Sequence, residues 1–173
     1  MARTWSGSTR RGRRPSMRRD ILVYPDPFLA RKAVPVAAVD GRIHALVRDL
    51  FETMYAAEGI GLAAPQVGVG KRVIVIDVSP VDETIAPVAV VNPEIVMQEG
   101  SVTAVEGCLS VPGVQGEVCR AETVEVRGMD EQGKPLRILA VGILSRALQH
   151  EIDHLDGVLF IDRLSSSATA SAK

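Results

Sequence analysis

The residues best suited to chemistry lie in the segment His150–His154, which reads H-E-I-D-H. On a helix, residues four apart lie one above the other with about 5–6 Å between their Cβ atoms, so His150 and His154 can share one cation. Glu151 would then serve as a general base beside that cation, as in metal-assisted hydrolysis. The alternative is an amphipathic helix with two buried histidines, and this segment alone does not decide between them.

A catalytic metal site of this kind needs at least one further protein ligand. The three-histidine pattern H-E-x-x-H-x-x-G-x-x-H fails because Phe160 occupies its last position. His44 stands at the edge of a helical apolar stripe, which favours a structural role. A glutamate from a later helix has no room, since after Asp156 only one acid, Asp162, remains before the terminal strand and tail. Cys108 is the strongest remaining candidate and Cys119 its competitor, although a free cysteine is more often a small buried hydrophobic residue.

Hydrophobic spacing predicts the elements that must position these residues. Apolar residues recur at i, i+3, i+4 and i+7 from Ile43 to Tyr55, behind the candidate N-cap Asp40, and a second helix is predicted from about Val141 to Leu155. The segment Gly59–Gln66 is expected to end the first helix in a turn. Short β-branched or alternating runs predict extended segments at 21–24, 73–78, 88–91, 94–97, 123–127, 136–139 and 158–161. Their short connections indicate antiparallel sheets.

Composition limits the class of protein. The chain has 173 residues, of which 46% are hydrophobic and 24% charged, as in an ordinary soluble globular domain. Residues 1–20 contain seven arginines and one acid, so the rest of the chain carries a net charge of about −7. An acidic body does not favour a nucleic-acid-binding surface. Membrane insertion is also disfavoured, because no apolar run approaches the roughly 20 residues that span a bilayer.

The chain is predicted to have one domain with a short segment on each side. Residues 17–164 form the expected catalytic domain, and residues 165–173 a disordered tail. Residues 1–16 are expected to be a disordered basic extension. Three interpretations of this extension remain open: an organelle transit peptide, a basic arm that touches RNA, or an over-long start ahead of Met17.

Three motifs in order resemble those of the peptide deformylases, also called formylmethionine deformylases. Gly59–Gln66 is similar to G-x-G-x-A-A-x-Q, Glu106–Ser110 to E-G-C-L-S, and His150–His154 to H-E-x-D-H. The resemblance covers about residues 18–164. It implies an α+β fold in which antiparallel β-sheets pack around a central C-terminal helix carrying H-E-x-x-H, with one N-terminal helix.

The resemblance also implies an activity and its partners. Members of that family hydrolyse the N-formyl group from the formylmethionine that begins nascent polypeptides, and release formate. One divalent metal ion is implied per chain, Fe2+ natively, with Zn2+, Ni2+ or Co2+ as substitutes. The implied partners are N-formylmethionyl peptides and, transiently, the ribosome, with no specific nucleic acid and no membrane. A bacterial cytoplasmic setting is expected, or an organellar one if residues 1–16 are a transit segment.

Catalytic roles follow from the same resemblance. The implied metal ligands are Cys108, His150 and His154. Glu151 is expected to take a proton from the attacking water and to return it to the leaving amine. The oxyanion would be stabilised by the side-chain amide of Gln66 and the backbone N–H of Leu109.

Substrate-binding residues are implied as well. Backbone groups near Ile60, Gly61 and Gly107 are expected to pair with an extended peptide. Ile60, Ile143 and Ala147 are expected to line the pocket for the methionine side chain.

Two positions depart from the family pattern. Gln115 stands where many members carry an arginine that contacts the substrate backbone, and Cys119 stands where proline is common. Two rival hypotheses remain at this point: a zinc endopeptidase of the H-E-x-x-H type, and a non-catalytic deformylase-like protein.

Overall fold

The computed structural model describes residues 15–165. Apart from Pro15, Ser16 and Ser165, the predicted extension and tail therefore lie outside the described residues. The elements, in chain order, are a 3-10 helix (Pro27–Ala30), α1 (Gly41–Ala56), β1 (Gly61–Ala63), a 3-10 helix (Ala64–Val67), β2 (Val73–Ile76), β3 (Val88–Glu99), β4 (Val102–Cys108), β5 (Val111–Arg120), β6 (Thr123–Met129), β7 (Pro135–Val141), α2 (Ile143–Leu155) and a 3-10 helix (Phe160–Arg163).

All strand pairs of the two sheets are antiparallel. Five strands form one sheet in the order β1-β2-β3-β6-β7, while β4 and β5 form a separate two-stranded sheet. Helix α2 contacts every strand of the five-stranded sheet, and α1 contacts β1 and β2. The predicted α+β architecture, with antiparallel sheets around a C-terminal helix and one N-terminal helix, is confirmed.

The two helices cover opposite faces of the sheet at β2. Ile74 and Ile76 pack in the apolar cluster of α2, whereas Val73 and Val75 pack in the cluster of α1. Burial on both faces explains why β2 reads as an uninterrupted β-branched run rather than an alternating one. The predicted N-cap is also present, because the Asp40 side chain accepts hydrogen bonds from the first turn of α1.

The last predicted strand, residues 158–161, is wrong. A 3-10 helix forms at Phe160–Arg163, where the backbone N–H of Leu159 donates to the Asp162 carboxylate at 2.9 Å. This side-chain contact competes with strand pairing, and only an isolated bridge joins Leu164 to Val118 of β5.

Other segments also differ from the predictions. Residues 88–91 and 94–97 belong to one strand, β3, which continues through a register shift near Asn92, whose φ is 52°. The segment Gly59–Gln66 is more than a turn, since it contains β1 and the start of a 3-10 helix. Residues 21–24 belong to no strand and instead donate backbone hydrogen bonds to Gln66 and Ser110. Among residues 15–165, no helix is both long and apolar enough to span a membrane.

Candidate active site

Helix α2 places two histidines next to each other under the sheet. The ring centroids of His150 and His154 lie 5.0 Å apart with their planes at 71°, and the exposed fraction of His154 is 1%. The i, i+4 spacing produces this contact because the helix is regular from Ile143 to Leu155. His44, on α1, is not among the residues that gather here.

The β4–β5 hairpin brings Cys108 to the same point. Its Sγ lies 3.3 Å from His154 Nε2 and accepts a hydrogen bond from the Ser110 backbone N–H at 3.4 Å. The ligand atoms of Cys108 and the two histidines all lie within 4.8 Å of one another. The competitor, Cys119, lies near the end of β5, with its Sγ 2.9 Å from Ser101 Oγ. Because the hairpin is antiparallel, Cys119 lies at its far end from Cys108.

Glu151 lies against the backbone of β1. A Cβ placed on Gly61 would be 2.4 Å from Glu151 Oε1 and 2.9 Å from its Cδ, so only glycine lets the carboxylate come this close. The exposed fraction of Glu151 is 5%, and its Oε2 makes no hydrogen bond to any described residue. Buried polar atoms of this kind call for a partner such as water or an ion.

The two residues predicted to stabilise an oxyanion flank Cys108. The Gln66 side chain is held at both ends: its Oε1 accepts from the Ala63 backbone N–H at 2.9 Å, and its Nε2 donates to Ser110 Oγ at 3.1 Å. The same Nε2 lies 3.7 Å from Cys108 Sγ. Leu109 follows Cys108 directly in the turn between β4 and β5.

A set of charged side chains lies behind the histidines, and no motif predicted it. Glu106 Oε2 lies 2.9 Å from His150 Nδ1, and the same carboxylate bonds the guanidinium groups of Arg120 and Arg146. Asp153 bonds Arg120 from the other side at 2.9 Å. Glu106 and Asp153 stand inside recognisable motifs, but nothing in their spacing pointed to Arg120, which lies 14 residues after Glu106 on a different strand.

Burial and charge shift the pKa values of the site in opposite directions. Burial raises the pKa of Glu151 to about 7 and lowers that of His154 well below its usual range. Burial would also lower the pKa of His150, but its hydrogen bonds to Cys108 and Glu106 outweigh this and raise it to about 10. Burial likewise opposes ionisation of Glu106, yet hydrogen bonds from His150 and Arg120 lower its pKa to about 2. A bound cation would favour the ionised Glu151 and the neutral imidazoles.

An adjoining cleft of about 580 Å³ runs along the candidate catalytic residues. Its walls include all five residues expected to bind substrate, namely Ile60, Gly61, Gly107, Ile143 and Ala147. Gln115, the departure from the family pattern, also lines this cleft. A volume of this size suits a small ligand or the first residues of a peptide.

The donor set fits a transition-metal ion. One thiol and two imidazoles are ligands that suit iron, zinc, cobalt and nickel, and three protein ligands leave a coordination position open for chemistry. The hydrogen bond of His150 Nδ1 to Glu106 fixes the ring and leaves the other nitrogen for a metal, as is usual for metal-binding histidines.

The comparison with protein families decides the assignment. A family model described as "Polypeptide deformylase" matches residues 18–170. The chain belongs to the polypeptide deformylase family. The resemblance predicted from the three motifs is thereby confirmed, and the chain is a metallo amide hydrolase of this family.

Individual relatives agree with the deformylase assignment. The chain is 50% identical over 146 residues to the peptide deformylase of Thermodesulfovibrio yellowstonii. The aligned region covers 84% of this chain and 88% of the relative. A crystal structure of the Legionella pneumophila peptide deformylase is 47% identical, with a TM-score of 0.82 over 87% of this chain and 88% of that one. A Synechococcus elongatus peptide deformylase, solved in complex with actinonin, is 46% identical, with a TM-score of 0.81 over 86% of this chain and 81% of that one.

Deformylase membership also bears on the rival hypotheses. It favours a formyl amide hydrolase over a zinc endopeptidase. Deformylases are metal-dependent, and Cys108, His150 and His154 form the group of described residues that can hold such an ion.

Proposed function

We propose that this chain removes the N-formyl group from the formylmethionine of nascent polypeptides and releases formate. One observation carries the proposal: the ligand atoms of Cys108, His150 and His154 converge within 4.8 Å, and they do so beside a buried carboxylate at the wall of a cleft. Family membership supplies the substrate class, and the convergence supplies a place for the chemistry.

The three converging residues would hold one divalent cation. We assign Fe2+ as the native ion because family membership implies it, and a donor set of one thiolate and two imidazoles would also accept Zn2+, Ni2+ and Co2+. When bound, such a cation acidifies water and polarises a carbonyl group.

Glu151 is the group that moves the proton. Its carboxylate accepts a proton as a water oxygen attacks the formyl carbon, and it then gives that proton to the amine nitrogen as the C–N bond breaks. Formate and a free α-amino group leave. The close approach of Gly61 supports this role, because it lets Glu151 line the cleft.

Gln66 and Leu109 would stabilise the negative charge that develops on the formyl oxygen. The Gln66 amide is fixed by Ala63 and Ser110, so it needs no reorganisation when charge develops. Pre-set donors of this kind lower the barrier because they are already oriented towards the transition state. The backbone N–H of Leu109, in the turn after Cys108, is the second proposed donor.

The cleft walls determine how the substrate lies. Backbone groups of Ile60, Gly61 and Gly107 would pair with an extended peptide, and Ile60, Ile143 and Ala147 would contact the methionine side chain. The placement of all five residues on the cleft supports this assignment.

The cellular setting follows from the substrate and the thiol. We place the enzyme in the bacterial cytoplasm, transiently at the ribosome, where formylated chains emerge. A reducing compartment also keeps Cys108 available as a thiolate ligand.

One comparison of substrates tests the proposed function. The purified metal-loaded protein is given three substrates: a formyl-Met peptide, the same peptide with an N-acetyl group, and the same peptide without an acyl group, in which only internal peptide bonds can be cleaved. Formate from the first substrate and no product from the other two is the expected result. Internal cleavage would indicate an endopeptidase, and no turnover at all would indicate a non-catalytic relative.

A further inference from the structure

Cys108 sits on a hairpin that the main sheet does not hold. Strands β4 and β5 form their own two-stranded sheet, separate from the five strands that pack on α2. A two-stranded hairpin is marginally stable by itself, so other contacts must fix Cys108 opposite the histidines. One of these is a small apolar cluster of Val111, Val118, Leu159 and Phe160. The hydrogen bond from Gln66 to Ser110 holds the hairpin turn as well.

A further contact is a closed ring of charged side chains. Starting on α2, Asp153 accepts from Arg120 Nη1 at 2.9 Å. The Arg120 Nε and Nη2 atoms donate to the two oxygens of Glu106 at 2.5 and 3.0 Å. Glu106 Oε2 then contacts His150 Nδ1 at 2.9 Å, back on α2. Helix α2 therefore holds both members of the hairpin's Arg120–Glu106 pair. Asp153 binds Arg120, and His150, three residues earlier on the helix, binds Glu106.

The ring is buried and its charges depend on each other. The exposed fractions of the Arg120, Glu106 and Asp153 side chains are 3%, 5% and 12%. Two more arginines approach from outside: Arg146 bonds Glu106 at 2.7 Å, and Arg163 bonds Asp153 at 2.6 and 2.8 Å. Three arginines thus share two carboxylates, and loss of either carboxylate leaves a buried guanidinium poorly compensated.

We propose that Asp153 is a positioning residue for the metal site. Asp153 holds the Arg120 guanidinium in the orientation that lets it donate two hydrogen bonds to Glu106. Glu106 in turn orients the His150 ring so that its other nitrogen faces Cys108. Asp153 therefore acts on the proposed ligand His150 through two intervening side chains and touches neither metal nor substrate. This inference rests on the proposed function only for the assignment of Cys108, His150 and His154 as metal ligands.

The test is the rate at which metal leaves the protein. Full-length Asp153→Asn protein is loaded with Ni2+, and the thiolate-to-nickel absorption is followed after excess EDTA is added. Loss of a side chain hydrogen-bonded to a metal ligand typically weakens metal binding about 10–100-fold. Because Asp153 acts through Arg120 and Glu106, we expect release to be faster by about the lower end of that range, roughly tenfold. The matched control is Asp156→Asn, the same substitution at the end of the same helix, which breaks the ion pair to Arg72 at 2.9 Å but lies outside the ring. Its release rate should equal that of the unsubstituted chain.

A second variant separates positioning from folding. Arg120→Lys keeps the positive charge but cannot form the fork to Glu106 while also reaching Asp153, so it should also release nickel at least about tenfold faster. A folded Asp153→Asn or Arg120→Lys protein that releases nickel at the unsubstituted rate overturns the positioning role alone. Equal acceleration in Asp156→Asn also overturns it, since the effect would then be general loosening of α2. An unsubstituted chain that takes up no nickel overturns the metal assignment itself.

Discussion

Replacing Gly61 with alanine should displace the general base. An ideal Cβ at this position lies 2.4 Å from Glu151 Oε1 and 2.9 Å from its Cγ and Cδ, whereas ordinary contacts begin near 3.4 Å. The carboxylate must therefore retreat by about 1 Å, and a misplacement of that size can cost about 100-fold in rate. Gly61 does not have a positive φ, so the alanine backbone itself is unstrained and the effect comes from the contact.

The assay for Gly61→Ala is steady-state formate release together with metal content. We expect kcat to fall about 100-fold while the metal is retained, because displacement of the base affects the transition state. A rise in KM with unchanged kcat would mean that Gly61 only lets the substrate approach. The matched control is Gly41→Ala, where the added Cβ meets nothing within 4 Å. Near-unchanged kcat and KM for Gly61→Ala would refute the placement of Glu151.

Three further substitutions probe the surroundings of the site. Asp40→Ala removes the N-cap of α1 and should lower the free energy of unfolding in a denaturant titration, with formate release unchanged. Tyr55→Phe removes the hydrogen bond to Asp77 and should cost about 1 kcal/mol, allowing for the exposure of Tyr55. Burial, together with Asp77, raises the pKa of Tyr55 from 10.0 to about 12, so this cost should be constant from neutral pH to pH 10.0 and vanish towards pH 12 in unfolding measurements. Gln66→Leu should lower kcat by about 10²–10³-fold with metal content unchanged; a smaller loss would remove Gln66 from the oxyanion site.

Local patterns predicted those parts of the fold that local interactions determine. The helical apolar stripe and the Asp40 cap predicted α1, and the β-branched run predicted β2. Both predictions succeeded because these elements depend on residues close together in the sequence. The predicted strand at residues 158–161 failed because Asp162 offers the backbone a competing hydrogen bond, which apolar composition does not reveal.

The candidate site divides in the same way. The residues in short motifs could be named in advance, and the structure brings Cys108, His150 and His154 together. The partners of these residues could not be named, because Arg120 reaches Glu106 and Asp153 only after the hairpin has packed on α2. Pairings of this kind have no period and no fixed spacing along the chain.

The most direct test of the proposed chemistry is Glu151→Ala. The three proposed ligands remain in this variant and only the proton acceptor is removed, so the protein should keep one metal ion per chain by elemental analysis. Formate release from a formyl-Met peptide should be lost, since proton transfer by a positioned side chain is typically worth about 10²–10⁴-fold in rate. Metal retention with formate release near that of the unsubstituted chain would contradict the role assigned to Glu151.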